Sequence, residues 1–230
     1  GGSGLTPALY KDLVAAGVDA ITLGDHVYRR KQIGKTLEAE ANIVRPANLP
    51  AEAIGRRWAV VRSAGGAEVG FCCALGQLFM KPIDSPHRAV DECLAQMPSS
   101  VKVRLVDYHA EATSEMQVMG RYLDGRVTAV LGTHTHVATA DEQVLPGGTA
   151  FQCDVGMTGP HESIIGRRID RVLETTLTSH PTAFDVATGD VRLHGTIVEA
   201  DPETGLAVSV RRLCVDAARA AELHELAGQA

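Results

Sequence analysis

An alternation of strand, helix and strand between residues 101 and 136 restricts the chain to few folds. The run VKVRLVDYH predicts a strand that ends in His109, and residues 111–123 have a helical pattern. The DG turn at 124–125 then leads into a second strand, VTAVLGTHTH. Alternation of this kind is typical of α/β packing, so the sequence predicts an α/β fold.

The segments on the N-terminal side predict further short elements. Thr6 followed by Pro7 is typical of a helix N-terminus, and Gly17 of a helix end, which together predict a helix at residues 7–16. The patterns that follow predict a strand at 18–24, a solvated helix at 29–40, a strand or loop at 42–48, a hairpin of strands at 58–63 and 69–76, and a helix from Ser85 to about Met97.

The last 90 residues change in character. Residues 143–157 predict paired strands, residues 162–179 one long helix, and residues 183–213 an antiparallel meander of three strands joined by TGD and DPETG turns. No repeat, low-complexity stretch or interdomain linker separates the parts of the chain. We therefore expect residues 1–230 to form a single domain, which at this length can bury a full core.

The charge balance excludes several classes of partner. The formal net charge is −6 and the sequence pI is about 5.8, which argues against a nucleic-acid complex or an anionic membrane as the main partner. No apolar run approaches the roughly 18 residues of a membrane span, and no secretory leader pattern is present.

The five cysteines are odd in number and lack CxxC spacing, which indicates reduced, mostly buried thiols and a cytoplasmic setting.

Unusual polar residues stand at three predicted strand ends. Asp25 and His26 follow the strand at 18–24, His109 ends the strand at 101–109, and His134 and His136 follow the strand that begins at Val127. Ligands of open α/β sheets bind beyond the carboxyl ends of the strands, and residues two apart on a strand share a face. Imidazole and carboxylate without cysteine suit iron, manganese or zinc. The sequence therefore predicts a metal site at this edge.

Other polar residues near these strand ends have two interpretations each. Arg29, Arg30 and Lys31 either steer an anionic substrate or form a solvated helix face. Glu111, with Thr113 and Ser114, either orients an imidazole or caps a helix. Asp154 is expected to line the site. Glycines 156 and 159 are expected to serve backbone turns, and the remaining histidines, His87, His161, His180, His194 and His224, are interpreted as bystanders.

Several long motifs occur together in one order along the chain: IVRPANLP, DYHAEATSE, YLDG, AVLGTHTHVATAD, VLPGGTA and DVGMTGP. In these motifs the chain resembles the bacterial YmdB-like branch of the calcineurin-like metallophosphoesterases over nearly its whole length. The resemblance implies a four-layer αββα sandwich with two metal ions at its strand ends. It also implies phosphodiesterase activity on 2′,3′-cyclic nucleotides and related small phosphodiesters.

The resemblance also implies roles for individual residues. His109 and His134 would bind one divalent ion and His136 the other, with Asp25 as a further ligand. His26 would contact phosphate or donate a proton. Two cations, iron or manganese with zinc as a further option, would clamp the anionic phosphodiester and make a bridging hydroxide available near neutral pH. The metals would also supply the positive field that the acidic composition lacks.

Two departures from the family pattern stand out. The family has asparagine where this chain has Asp25, so the added charge is expected to tighten metal binding and weaken phosphate binding. The family also has a strand, helix, strand unit ahead of the residues that match GGSGLT. That unit carries an aspartate ligand and a bridging glutamate, and the resemblance implies that the 230 residues lack it.

Two alternatives to the phosphodiesterase stay open at this point. One is a regulatory or binding protein that keeps the metallophosphoesterase fold but has impaired catalysis. The other is a metal-dependent amidohydrolase, which also uses an HxH pair, although its pair lies on the first strand of a barrel rather than past the middle of the chain. The expected partner is a small phosphodiester or cyclic nucleotide, and a homo-oligomer is possible.

Overall fold

The computed structural model describes residues 3–81 and 83–227 and shows a mixed α/β architecture. The helices are α1 (Pro7–Ala15), α2 (Ile33–Ala39), α3 (Pro86–Gln96), α4 (Thr113–Tyr122), α5 (Ile169–Thr178) and α6 (Ala217–Ala227). The strands are β1 (Ile21–Thr22), β2 (Ile43–Val44), β3 (Trp58–Arg62), β4 (Glu68–Leu75), β5 (Val103–His109), β6 (Ala129–Thr133), β7 (Gln143–Val144), β8 (Ala150–Gln152), β9 (Gly159–Glu162), β10 (Gly189–Ala200) and β11 (Ala207–Val215).

A six-stranded sheet in the order β3-β4-β5-β6-β8-β7 forms the centre of the fold. The four inner strands run parallel, and the outer strands β3 and β7 are antiparallel to their neighbours. Parallel strands end at the same edge of a sheet, and the register places His109 opposite Thr133 at that edge. The residues that follow β5 and β6 are therefore neighbours.

Two smaller sheets flank the central one. Strands β1 and β2 form a parallel pair, and β11, β10 and β9 form an antiparallel sheet. Gln152 of β8 connects the central sheet to β10, because its Oε1 accepts a 2.6 Å hydrogen bond from Thr196. The chain thus stacks sheets on sheets, with helices outside them.

The largest hydrophobic core lies between the central sheet and helices α3 and α4. Both helices bury one stripe of residues at helical spacing. The main contributors are Val90, Cys93, Leu94, Met97, Met116, Met119 and Leu123 from the helices and Cys72, Ala74, Val106, Tyr108, Val130 and Phe151 from the strands. A second cluster packs α1 and α2 against β1 and β2.

Most of the predicted elements are present, with shifts of a few residues at their ends. Helices α1 and α3 begin as their capping signals indicate, since the hydroxyls of Thr6 and Ser85 accept hydrogen bonds from the backbone of the first turn. The hairpin is β3 and β4, the paired strands are β7 and β8, and the strand, helix, strand unit is β5, α4 and β6. The α/β class is confirmed.

The prediction of a solvated helix at residues 29–40 is wrong in its start and its burial. Helix α2 begins only at Ile33, and it buries Ile33, Thr36 and Leu37 against β1 and β2. The many charged residues of this segment obscured a short apolar stripe with i, i+3, i+4 spacing. The three basic residues at 29–31 lie ahead of the helix and are exposed.

The predictions for the C-terminal part need a similar correction. Residues 162–179 are not one helix, because β9 ends at Glu162 and α5 begins at Ile169, with Gly166 at φ 95 between them. The tail has two long strands rather than three, and the third strand of that sheet is β9. Helix α6 was not predicted. The errors in the strands come from pairing between segments distant in sequence, which local patterns do not encode.

The cysteines and the helices of the described residues give two further findings. All five thiols are free, and four of them are buried while Cys214 is exposed. Among residues 3–81 and 83–227, no helix combines the length and the apolar composition needed to cross a membrane.

Candidate metal centre

Three strand ends meet at one edge of the central sheet. Asp25 follows β1 in a tight turn, His109 ends β5, and His134 follows β6. One ligand atom from each of these three side chains lies within 4.8 Å of the others. The residues converge because β5 and β6 are adjacent parallel strands and β1 ends above them.

A hydrogen-bonded chain behind His109 sets the protonation of its ring. The Thr133 hydroxyl donates its proton to Oδ1 of Asp107 at 2.7 Å and lies 2.8 Å from Nδ1 of His109. Because the hydroxyl proton is committed to Asp107, its oxygen accepts from the Nδ1–H of His109. The other ring nitrogen, Nε2, faces Asp25 and His134 at 3.2 Å each.

A similar contact orients His134. Its Nε2 lies 3.0 Å from Oε2 of Glu111, and an ionised carboxylate can only accept, so Nε2 carries the ring proton. The unprotonated Nδ1 then points at His109. Burial, together with the neighbouring charge of His109, lowers the pKa of His134, which keeps the ring neutral near pH 7.

Asp25 supplies the anionic group of the cluster. The hydrogen bond with His109 lowers the pKa of Asp25 to about 2 against the opposing effect of burial, with His26 and His134 adding to the lowering. The carboxylate is therefore ionised at neutral pH. Its Oδ1 and the inward nitrogens of His109 and His134 form a set of one carboxylate and two imidazoles, which fits a divalent ion that prefers nitrogen and oxygen ligands.

The turn that carries His134 and His136 has a strained backbone, which hydrogen bonds to Asp154 hold in place. Both histidines have positive φ, 111° and 66°, which non-glycine residues rarely adopt. The buried carboxylate of Asp154 fixes the turn by accepting hydrogen bonds from the Thr135 amide and hydroxyl at 2.8 and 2.9 Å and from the Gly156 amide at 2.8 Å. Asp154 thus supports the site from beneath the turn. Its burial raises the pKa of its carboxyl.

His136 and His26 lie beside the cluster without joining it. The Nδ1 of His136 lies 2.9 Å from the carbonyl oxygen of Ile165 and donates to it. The Nδ1 of His26 lies 3.4 Å from Oδ2 of Asp25, and 61% of the His26 side chain is exposed. The structure thus groups three of the four predicted metal ligands, while His136 stands outside this set.

The structure gives positions for two of the groups that had two interpretations in the sequence, Glu111 and the basic residues at 29–31. Glu111 contacts the imidazole of His134, which favours the orienting interpretation over the helix cap. Of the three basic residues at 29–31, Arg29 lines a cavity of about 530 Å³ that opens beside the cluster. Asp25, His26 and His134 also line this cavity, whose volume is within the range of small-molecule sites.

The sequence predictions missed Asp107 and Thr133. Period-two alternation on β5 puts Asp107 on the same face as His109, so a carboxylate two residues before a candidate ligand was an available signal. The contact of Thr133 with both residues depends on the register of β6 against β5, which pairs His109 with Thr133. That register has no local signature in the sequence.

Comparison with known proteins matches this chain to one family. The family model described as YmdB-like protein matches residues 1–213. The chain belongs to the YmdB-like family. The 2′,3′-cyclic-nucleotide 2′-phosphodiesterase of Bacillus subtilis (strain 168) is 40% identical over 215 residues, which cover 94% of this chain and 81% of that protein.

Two solved structures show the same YmdB-like fold. A hypothetical protein from Thermus thermophilus superposes with a TM-score of 0.86 at 40% identity, over 93% of this chain and 82% of that one. A novel phosphatase from Mycoplasma pneumoniae superposes with a TM-score of 0.84 at 29% identity, over 93% and 77%. The sandwich expected from the motifs is therefore the fold of this chain.

Proposed function

We propose that the chain is a metal-dependent phosphodiesterase that hydrolyses 2′,3′-cyclic nucleotides or related small phosphodiesters. The observation that carries the proposal is the convergence of Asp25 Oδ1, His109 Nε2 and His134 Nδ1 beside an open cavity. The 40% identity to a 2′,3′-cyclic-nucleotide 2′-phosphodiesterase supports the same substrate class.

Asp25, His109 and His134 would hold one divalent ion, and His136 would contribute to a second. Such ions would supply the positive charge that offsets the phosphoryl oxygens and lowers the pKa of water to near neutrality. Iron or manganese, with zinc as an alternative, suits this ligand set. Free, mostly buried thiols support a cytoplasmic setting for the reaction.

The residues around the cluster hold protons in place. Asp107 and Thr133 keep the proton of His109 on Nδ1, and Glu111 keeps that of His134 on Nε2, so both inward nitrogens are free to bind a cation. Nothing has to rearrange within either ring when a cation binds. The cluster is in this sense preorganised for a positive charge.

We propose His26 as the general acid. Its Nδ1 faces the carboxylate of Asp25, which leaves the largely exposed Nε2 edge available to donate a proton to the departing ribose oxygen. His26 also lines the cavity that would receive the substrate.

The test is product analysis on adenosine 2′,3′-cyclic phosphate with Mn²⁺ or Fe²⁺ supplied. We expect turnover that a chelator abolishes, and we expect His26→Gln to lower kcat by about 10²–10⁴ while leaving metal content unchanged. A chain that binds metal and nucleotide yet cleaves none would favour the regulatory or binding alternative. His26→Gln with wild-type kcat would remove His26 from the mechanism.

A further inference from the structure

We propose that Phe79 is a stacking platform for the nucleobase of the substrate, which makes the recognised class nucleotides rather than phosphodiesters in general. This inference rests on the proposed function for its choice of probes. Its basis is the 530 Å³ cavity, whose lining includes Phe79 and Lys81 together with the cluster residues Asp25 and His134. The apolar residues of the lining are Val27, Leu49, Leu75, Met80 and Ile83.

Phe79 has an unfavourable backbone conformation, and its side chain is almost fully exposed rather than packed in the core. Its φ is 62°, in the left-handed region that disfavours bulky residues, and 90% of its surface is exposed. It occupies the third position of a turn closed by a 3.4 Å hydrogen bond from the Met80 amide to the Gln77 carbonyl, where glycine or asparagine is usual. Strain and exposure both disfavour phenylalanine here unless the ring serves a ligand.

The turn is anchored to the metal-binding edge. The Glu115 carboxylate accepts hydrogen bonds from the amides of Gln77 and Leu78 at 2.9 and 3.0 Å. The Gly76 amide donates to the carbonyl oxygen of His109 at 2.9 Å. The position of Phe79 is therefore tied to the backbone of a proposed metal ligand.

The charge of the cavity matches a nucleotide. Arg29 and Lys81 line it, and within residues 3–81 and 83–227 neither side chain has a carboxylate at ion-pair distance, although Arg88, Arg126 and others do. The two free cations can take up phosphate charge that the metal end leaves uncompensated. The described lining contains no asparagine or glutamine, the residues that typically read adenine edges. We therefore expect a base to stack on Phe79 with little selectivity among the bases, since every base has a π-face.

The experiment compares two cyclic phosphates that differ only in the base. Adenosine 2′,3′-cyclic phosphate is assayed beside methyl ribofuranoside 2′,3′-cyclic phosphate, on wild type, Phe79→Ala, Phe79→Trp and the neighbouring control Leu78→Ala. Leu78 is also exposed but does not line the cavity. We expect Phe79→Ala to lower the kcat/KM for the adenosine substrate relative to that for the methyl riboside by about 5- to 150-fold, because one base–aromatic stack is lost. Phe79→Trp should restore the ratio, and Leu78→Ala should keep it.

A binding measurement separates this inference from the proposed function. The dissociation constant of adenosine 3′-monophosphate, measured calorimetrically on the same full-length variants, should rise by the same factor in Phe79→Ala and recover in Phe79→Trp. If the wild-type protein cleaves neither cyclic phosphate, the proposed function fails, and the binding measurements alone then test whether Phe79 contacts the base. An unchanged ratio, an equal loss on both substrates, or nucleotide binding that ignores Phe79 would overturn the inference.

Discussion

The Nε2 atom of His109 lies 3.2 Å from Oδ1 of Asp25, a contact that is a hydrogen bond when Nε2 carries a proton. The proton of the neutral ring is on Nδ1, bonded to Thr133. Two lone-pair atoms at this distance repel unless a proton or a metal ion lies between them. A metal ion therefore competes with a proton for this position, so its binding releases a proton when the ring is charged.

Removing the hydroxyl behind His109 should weaken metal binding. Thr133→Val leaves the Nδ1–H of His109 without its acceptor, so the ring is free to turn or change tautomer. We expect the affinity for Mn²⁺, measured calorimetrically, to fall by about 10- to 100-fold. Thr182→Val, which removes a hydroxyl bonded to the Arg171 carbonyl in the distal region, is the control and should keep wild-type affinity. Equal affinities in the two variants would show that the Thr133 contact is passive.

A methyl group at Gly24 should disrupt the cluster without disrupting the core. A Cβ there would lie 2.4 Å from Nε2 and Cε1 of His109, closer than any real contact, so the ring or the Asp25 turn must move. We expect Gly24→Ala to lower the affinity for Mn²⁺ by at least about tenfold, because a metal ligand loses its orientation. Gly34→Ala in α2, where the nearest atom would be 3.8 Å away, serves as the control and should bind normally. Normal metal binding by Gly24→Ala would contradict the placement of His109.

The core between the central sheet and α4 should be sensitive to cavities. Phe151 of β8 is 1% exposed and packs against Gly120 so closely that a Cβ on this glycine would lie 2.4 Å from the ring. We expect Phe151→Ala to lower the free energy of unfolding by about 3–5 kcal/mol in a urea titration. The half-exposed Phe184 is the comparison, and Phe184→Ala should change it by roughly 0.5 kcal/mol or less. Similar losses in both would mean that this core is wrongly described.

The thiols should differ sharply in reactivity. Burial, with the nearby charge of Asp141, raises the pKa of Cys153 to about 12. A hydrogen bond with Cys93 and burial raise the pKa of Cys72, and burial raises that of Cys73. Only thiolates react with a disulfide reagent, so these three groups stay unreactive below their raised pKa values. The hydrogen bond with Cys72 lowers the pKa of Cys93, but this thiol is fully buried and the reagent cannot reach it in the native chain. At pH 8 we expect one fast-reacting thiol per native chain, the exposed Cys214, and five after denaturation. Cys214→Ser should remove the fast phase, and a second fast thiol in the native chain would contradict this description.

The sequence predicted the elements that carry their own local signals. Capping residues marked α1 and α3, and alternating strand and helix patterns marked β5, α4 and β6. Polar residues at strand ends identified Asp25, His109 and His134, which the structure brings together, because parallel strands share an edge. Their role as metal ligands stays a prediction.

The features that the sequence did not reveal depend on distant pairing or on strain. Strand β9 pairs with β10, about thirty residues further along, so residues 159–162 had no local reason to be extended. The contact of Thr133 with Asp107 requires a particular register between two strands. The positive φ of Phe79 contradicts the preference of its residue type, and the turn that carries it is anchored by Glu115.

The central claim is that Asp25, His109 and His134 form a metal centre, and metal content measures it most directly. Protein loaded with Mn²⁺ or Fe²⁺ and desalted should retain at least one ion per chain by mass spectrometry. His134→Ala should lose that ion, whereas His180→Ala, which removes an exposed histidine from a remote loop, should retain it. Wild-type metal content in His134→Ala, or none in the wild-type chain, would contradict the account.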